Sequence, residues 1–144
     1  MNQEVSIFED HFNEFKQYFE KIDIYVITKY ICAFLNVRGG VLYLGINDEG
    51  IVKGIYLIRK KRDEFQLELD QHLKKFTPPV LADECFVSFC PIYSDIKKKT
   101  IIPDKYVIEI HVQKTYYNEL YFSNGQCWVK KTASISMLGP MEIK

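Results

Sequence analysis

The sequence predicts a single α+β domain whose mixed, largely antiparallel sheet carries two main helices. Three observations lead there. Two segments have apolar residues at helical spacing, several short apolar runs are bounded by glycine and turn residues, and strand and helix alternate too seldom for a doubly wound parallel sheet. The 144 residues fit one domain, residues 1–144, which buries roughly two-thirds of the surface its unfolded chain would expose. No internal repeat, low-complexity tract or linker divides it.

The elements follow in order. Val5 to Phe19 mixes apolar and charged residues without a clean period, as expected of extended structure broken by a turn. Ile24, Ile27, Tyr30, Ile31, Phe34 and Leu35 then fall at steps of three and four, predicting a helix over Ile22 to Leu35 that the stretch Asn36 to Gly40 stops. Val41 to Ile46 reads as a central strand and Asn47-Asp48-Glu49-Gly50 as a turn, with Ile51 to Tyr56 expected to return as its hairpin partner. Gly39-Gly40 is expected to be a helix cap and tight turn; it is no phosphate loop, because it follows a helix rather than opening one. A second helix is predicted over Arg62 to Phe76, ended by Pro78-Pro79. Strands are expected over Glu84 to Tyr93 and Lys105 to Gln113. A last hairpin is expected to pair Glu119 to Phe122 with Gln126 to Lys131 across Ser123-Asn124-Gly125.

Composition excludes some functions. With 19 basic and 19 acidic side chains the formal charge is zero, so any polyanion must be held by a local patch. No apolar run is long enough to span a bilayer and no secretory pattern opens the chain, so a cytoplasmic address, or a nuclear one, is expected, with no membrane partner. Cys32, Cys85, Cys90 and Cys127 are sparse and set among apolar residues, which suits buried free thiols. Cys85 and Cys90 do not have the spacing of a zinc knuckle, even with His72 or His111 added.

Three pieces of sequence carry a family resemblance. They are Glu9-Asp10-His11-Phe12-Asn13-Glu14-Phe15-Lys16, then Ala33-Phe34-Leu35-Asn36-Val37-Arg38-Gly39-Gly40, then Gly45-Ile46-Asn47-Asp48. In this order and spacing the chain resembles the Schlafen core, or AlbA-like, domain: strongly over Phe8 to Tyr56, more weakly through about Lys131. The resemblance implies a fold that handles nucleic acid. It implies an acidic trio, Glu9, Glu14 and Asp48, that serves cleavage of tRNA or other structured RNA. Carboxylates suit that chemistry because Mg²⁺ or Mn²⁺ takes oxygen ligands, keeps several waters, and stabilises charge developing on a phosphodiester. Zinc is not expected: the family's vertebrate zinc site needs a His-x-Cys, absent here, and an adjacent Cys-Cys pair, and Tyr116-Tyr117 stands where that pair would come.

Glu9 and Glu14 are five residues apart, a step that puts them on one face of neither a strand nor a helix, where it is roughly 140°. A bulge or turn within Asp10 to Asn13 must therefore re-aim one of them if they act together. Solvated surface acids, with Asp48 as a turn former, are the alternative. Lys16, Arg38 and the run Arg59-Lys60-Lys61-Arg62 are the residues expected to meet RNA phosphates, and Lys97 to Lys99 and Lys130-Lys131 are further basic clusters. The family's core has two similar lobes around a groove and this chain has length for one, so the resemblance implies a homodimer or pairing with a related lobe. A divalent-metal-dependent endoribonuclease is the leading expectation. A non-catalytic nucleic-acid-binding or regulatory module and a protein-interaction domain are the rivals.

Overall fold

The computed structural model describes residues 10, 12–18, 21–95, 97, 99–114, 119–132 and 134–139. They form β1 (Asn13–Lys16), α1 (Ile24–Leu35), β2 (Gly39–Leu44), β3 (Ile55–Tyr56), α2 (Arg59–Lys74), β4 (Cys85–Asp95), β5 (Thr100–Gln113), β6 (Trp128–Lys130) and β7 (Ile135–Met137). This is the expected α+β architecture. The long strand β5 organises it: β4 pairs along one edge, while β2 and β3 follow one another along the other, all antiparallel. β1 adds outside β2, parallel to it. β6 and β7 form a separate two-stranded ribbon. No helix of the described residues is long and apolar enough to cross a membrane.

Both helices lie on one face of the sheet. Ile27, Ile31 and Phe34 of α1, with Phe65 and Leu69 of α2, pack in one buried cluster with Leu42, Leu44, Ile108 and Ile110. Burying such side chains contributes roughly 1.5–3 kcal/mol each. The opposite face carries a smaller cluster of Phe15, Tyr43, Ile46, Ile92 and Val107. The run Val41 to Ile46 is almost wholly apolar because β2 is covered on both faces. α1 starts where the Asp23 carboxylate accepts hydrogen bonds from the Tyr25 and Val26 amides, at 3.1 and 3.4 Å.

Several boundaries and pairings differ from expectation, and β5 begins at Thr100 rather than Lys105. The helix cap is Asn36, and Gly39-Gly40 already belongs to β2, where Gly39 (φ +80°) lies so close to β5 that only a glycine fits. The expected partnership of Val41–Ile46 with Ile51–Tyr56 reduces to one bridge, Ile46 to Val52, and β3 pairs with β5 instead. The Gly45 carbonyl accepts from both Lys53 and Gly54, closing the loop on itself before a hairpin can form. α2 begins at Arg59, so the basic run is its first turn.

The last hairpin is also rearranged. The Ser123–Gln126 turn is present, with Asn124 and Gly125 both at positive φ. Its flanks do not pair, because Tyr121 is held elsewhere: its amide donates to Asn36 Oδ1 at 2.6 Å and its carbonyl accepts from Asn36 Nδ2 at 3.0 Å. Trp128–Lys130 pairs with Ile135–Met137 instead.

A Cβ added at Gly39 would sit 2.5 Å from the Val112 carbonyl oxygen, on a backbone conformation that side chains rarely adopt. Gly39→Val is therefore expected to lower stability by at least about 1 kcal/mol, measured by urea denaturation.

Candidate functional site

Glu14 lies at the second position of β1, paired with Leu42 of β2. Paired residues share a face, so Glu14 points under α1, toward the helix-covered side. It is only 3% exposed, which is rare for a glutamate. Two ammonium groups compensate its charge: Lys130 Nζ is 3.4 Å from Oε2 and Lys16 Nζ is 3.9 Å from Oε1. Lys130 is itself buried, and its three N–H donors face the carbonyl oxygens of Asp10 at 2.8 Å, Lys131 at 2.7 Å and Thr132 at 3.3 Å. An ammonium has three protons, so Lys130 gives Glu14 positive charge and no hydrogen bond. Glu14 Oε2 accordingly has no hydrogen-bond donor among the described residues.

Lys16 closes this arrangement on the solvent side. Its ammonium lies 4.7 Å from the Tyr30 ring centroid. Burial pulls the Lys16 pKa down, but Tyr30, Glu14 and Tyr18 together more than offset this and hold it above the ordinary lysine value. Tyr30 is pushed up, chiefly by burial.

The turn expected between Glu9 and Glu14 is present. The Asp10 carboxylate accepts from the Phe12 and Asn13 amides at 2.8 and 2.9 Å, and the Asp10 amide donates to the Asn13 carbonyl. This Asx turn brings the Asp10 carbonyl to the ammonium that also faces Glu14. Glu9 itself lies outside the described residues, as do Tyr116 and Tyr117. Asp48 is exposed in the loop that follows β2, and no described residue hydrogen-bonds or ion-pairs with its carboxylate. Asn47, not Asp48, forms that turn: its side-chain oxygen accepts from the Glu49 and Ile51 amides.

The expected phosphate-binding residues divide into three places. Lys16 stands beside Glu14. Arg38 is exposed in the turn before β2, at the end opposite Lys16, which pairs with Leu44; the strand between them spans roughly 17 Å. It is therefore not beside Lys16. Arg59, Lys60, Lys61 and Arg62 open α2, whose first turn has no acidic residue and no side-chain cap. Arg62 is committed to the fold, donating to the Leu57 carbonyl at 2.7 Å, pairing with Asp104 at 3.3 Å and lying over the Tyr106 ring. Lys61 pairs with Glu64, whereas Arg59 and Lys60 are exposed.

Sequence reasoning missed two site residues. In the sequence Lys130 is one of two lysines in a basic cluster. Its signal was the alternation along Trp128-Val129-Lys130-Lys131, which turns one of the two lysines inward. In the sequence Asn36 belongs to a helix stop. Its side chain fastens α1 to Tyr121 and to the Trp128 carbonyl, so it places the strand that carries Lys130.

Glu14 Oε2 and the Asp48 carboxylate are hard oxygen donors of the kind Mg²⁺ or Mn²⁺ takes, together with water and substrate oxygens. Among the described residues no group of three or more His, Cys, Asp or Glu side chains is placed to hold a metal ion. All four cysteines are free thiols.

The chain belongs to the Schlafen, AlbA_2 family, whose model matches residues 9–138. Among solved structures it resembles that of the DIP2311 protein of Corynebacterium diphtheriae, with a TM-score of 0.59 at 14% identity. That match covers 89% of this chain and 22% of the other, so the chain spans about a fifth of that protein's length. The likeness supports the fold.

The thiols give a test of this packing. Burial pushes Cys32 up to about 11 and Cys85 to about 12; burial, then Glu109, pushes Cys90 to about 11. Native protein at pH 8 should therefore react with iodoacetamide at least about 100-fold more slowly than unfolded protein, by mass spectrometry. The native state favours the neutral thiols, so their contribution to stability is complete below about pH 9 and is lost as pH rises toward 11–12. Thermal melts should fall across that window.

Proposed function

We propose that this chain is a nucleic-acid-processing lobe that cleaves structured RNA such as tRNA, with Glu14, Glu9 and Asp48 as the catalytic acids. The observation that carries this reading is the Glu14 carboxylate: buried, flanked by two ammonium groups, and with one oxygen that no described residue supplies with a proton. A buried acid with an unsatisfied acceptor is costly to keep, and such a group in a fold of this family marks a candidate functional position. Glu9 is the chain neighbour of Asp10, whose carbonyl meets the same lysine as Glu14, and Asp48 presents a carboxylate without a described partner.

Mg²⁺ or Mn²⁺, held by these acids together with substrate and water oxygens, would supply Lewis-acid stabilisation of the phosphodiester's developing charge. The residues do the rest. Lys16, fixed against Tyr30 at the margin of the site, offers a phosphate an ammonium already held in place. Arg59 and Lys60, with the uncapped amino end of α2, provide a second and largely sequence-independent hold on the backbone. Recognition by shape follows from such contacts, because the deep, narrow major groove of an RNA helix is not read by side chains. One lobe presents one side of a groove, so a second copy, or a related lobe, completes the enclosure.

The compensation of Glu14 by two lysines also favours a second reading, a binding module without chemistry, in which the acid serves to fix Lys16. Cleavage of labelled tRNA with and without chelator separates the two. Glu14→Gln, Glu9→Ala or Asp48→Ala should each lower the rate at least about tenfold, equivalent to about 1.4 kcal/mol of transition-state stabilisation. Arg59→Ala with Lys60→Ala should weaken binding and flatten its salt dependence while leaving the chemical step. Binding without cleavage in any divalent metal overturns the ribonuclease reading in favour of the module.

A further inference from the structure

We infer that Lys130 is a positioning residue of the Glu14 site; the inference rests on the proposed role of Glu14 and names a residue outside the acidic trio. Its side chain is fully enclosed, an expensive place for an ammonium unless every proton has an acceptor. Three carbonyl oxygens meet that demand, from Asp10 at the entry to β1 and from Lys131 and Thr132 at the end of β6. One cation therefore fastens the turn of the acidic motif to the β6–β7 ribbon, across a sequence separation of 120 residues. Its ring neighbour is Phe34, 6.0 Å away on α1, which leaves the carbonyls and Glu14 as its polar contacts among the described residues.

The geometry gives Lys130 two effects on Glu14. Its charge makes a buried carboxylate tolerable, while its protons, all engaged by carbonyls, leave the buried Oε2 without a hydrogen bond. A hydrogen-bonding cation in that place would satisfy that oxygen as well. Lys130 also holds the Asp10 turn at the entry to β1. It touches no reacting atom in this account, and it acts through Glu14 and the turn.

A double-mutant cycle with two readouts tests the inference. Lys130→Met leaves Glu14 buried without its nearest countercharge, and the melting temperature should fall by at least about 5 °C. Adding Glu14→Gln should restore at least half of that loss, because the uncompensated charge is gone. Losses that simply add would overturn the pairing. The second readout is tRNA cleavage at a temperature where circular dichroism shows each variant folded. Lys130→Met should lower kcat at least about tenfold with KM changed by less than about threefold, a split that a merely structural loss would not produce. The double variant should regain stability without regaining kcat. Unchanged kcat in folded Lys130→Met would overturn the positioning role. If the parent protein cleaves no RNA while the stability coupling is present, the ribonuclease reading falls and the Lys130–Glu14 arrangement stands.

Discussion

The site is governed by one constraint: a carboxylate has been placed beneath a helix, where a negative charge is tolerated only if opposite charge is arranged around it. Glu14 occupies a buried β1 position, and the fold answers with Lys130 from a distant ribbon and Lys16 from the same strand face. Each lysine then imposes its own demand. Lys130 requires carbonyls from both the Asp10 turn and the β6–β7 ribbon, and the ribbon reaches that place because Asn36 pins Tyr121 and Trp128 to the end of α1. The Asn36 motif and the acidic motif, separated in sequence, are thus parts of one assembly.

Much of the scaffold was legible in the chain. The periods of α1 and α2 came from their apolar spacing, and the turn at Asp10–Asn13 followed from the parity argument about Glu9 and Glu14. Asn124-Gly125 correctly marked a tight turn. What misled was pairing. A strand's sequence shows that it is buried but not which neighbour buries it, so Ile55–Tyr56 was matched to the preceding strand when β5 offered a longer ladder. The parallel pairing of β1 with β2 was hidden for the same reason.

The candidate site can be named from residue types, but the environment of its residues cannot. Glu14 could be named from its motif, but its near-complete burial and its partnership with Lys130 depend on contacts across most of the chain. Asp48 was correctly placed in a turn, although the hydrogen bonds that make the turn belong to Asn47. The fold assigns the basic residues different work. Arg62 braces α2 against Asp104 and Tyr106, Lys130 is internal, and Arg38 stands at the far end of β2 from Lys16. Charge counted along a sequence cannot distinguish a phosphate contact from a buried countercharge.

The central claim is that nucleic acid engages the protein at the Glu14 end of the β1–β2 pair and along the start of α2. Amide chemical-shift mapping by NMR, with a folded tRNA added to labelled protein, tests it most directly. The account predicts the largest changes at Asn13–Lys16, in the Asn47–Gly50 turn and at Arg59–Lys61, diminishing as salt is raised. Changes confined to the outer edge of β4, with those three segments unmoved, would contradict it.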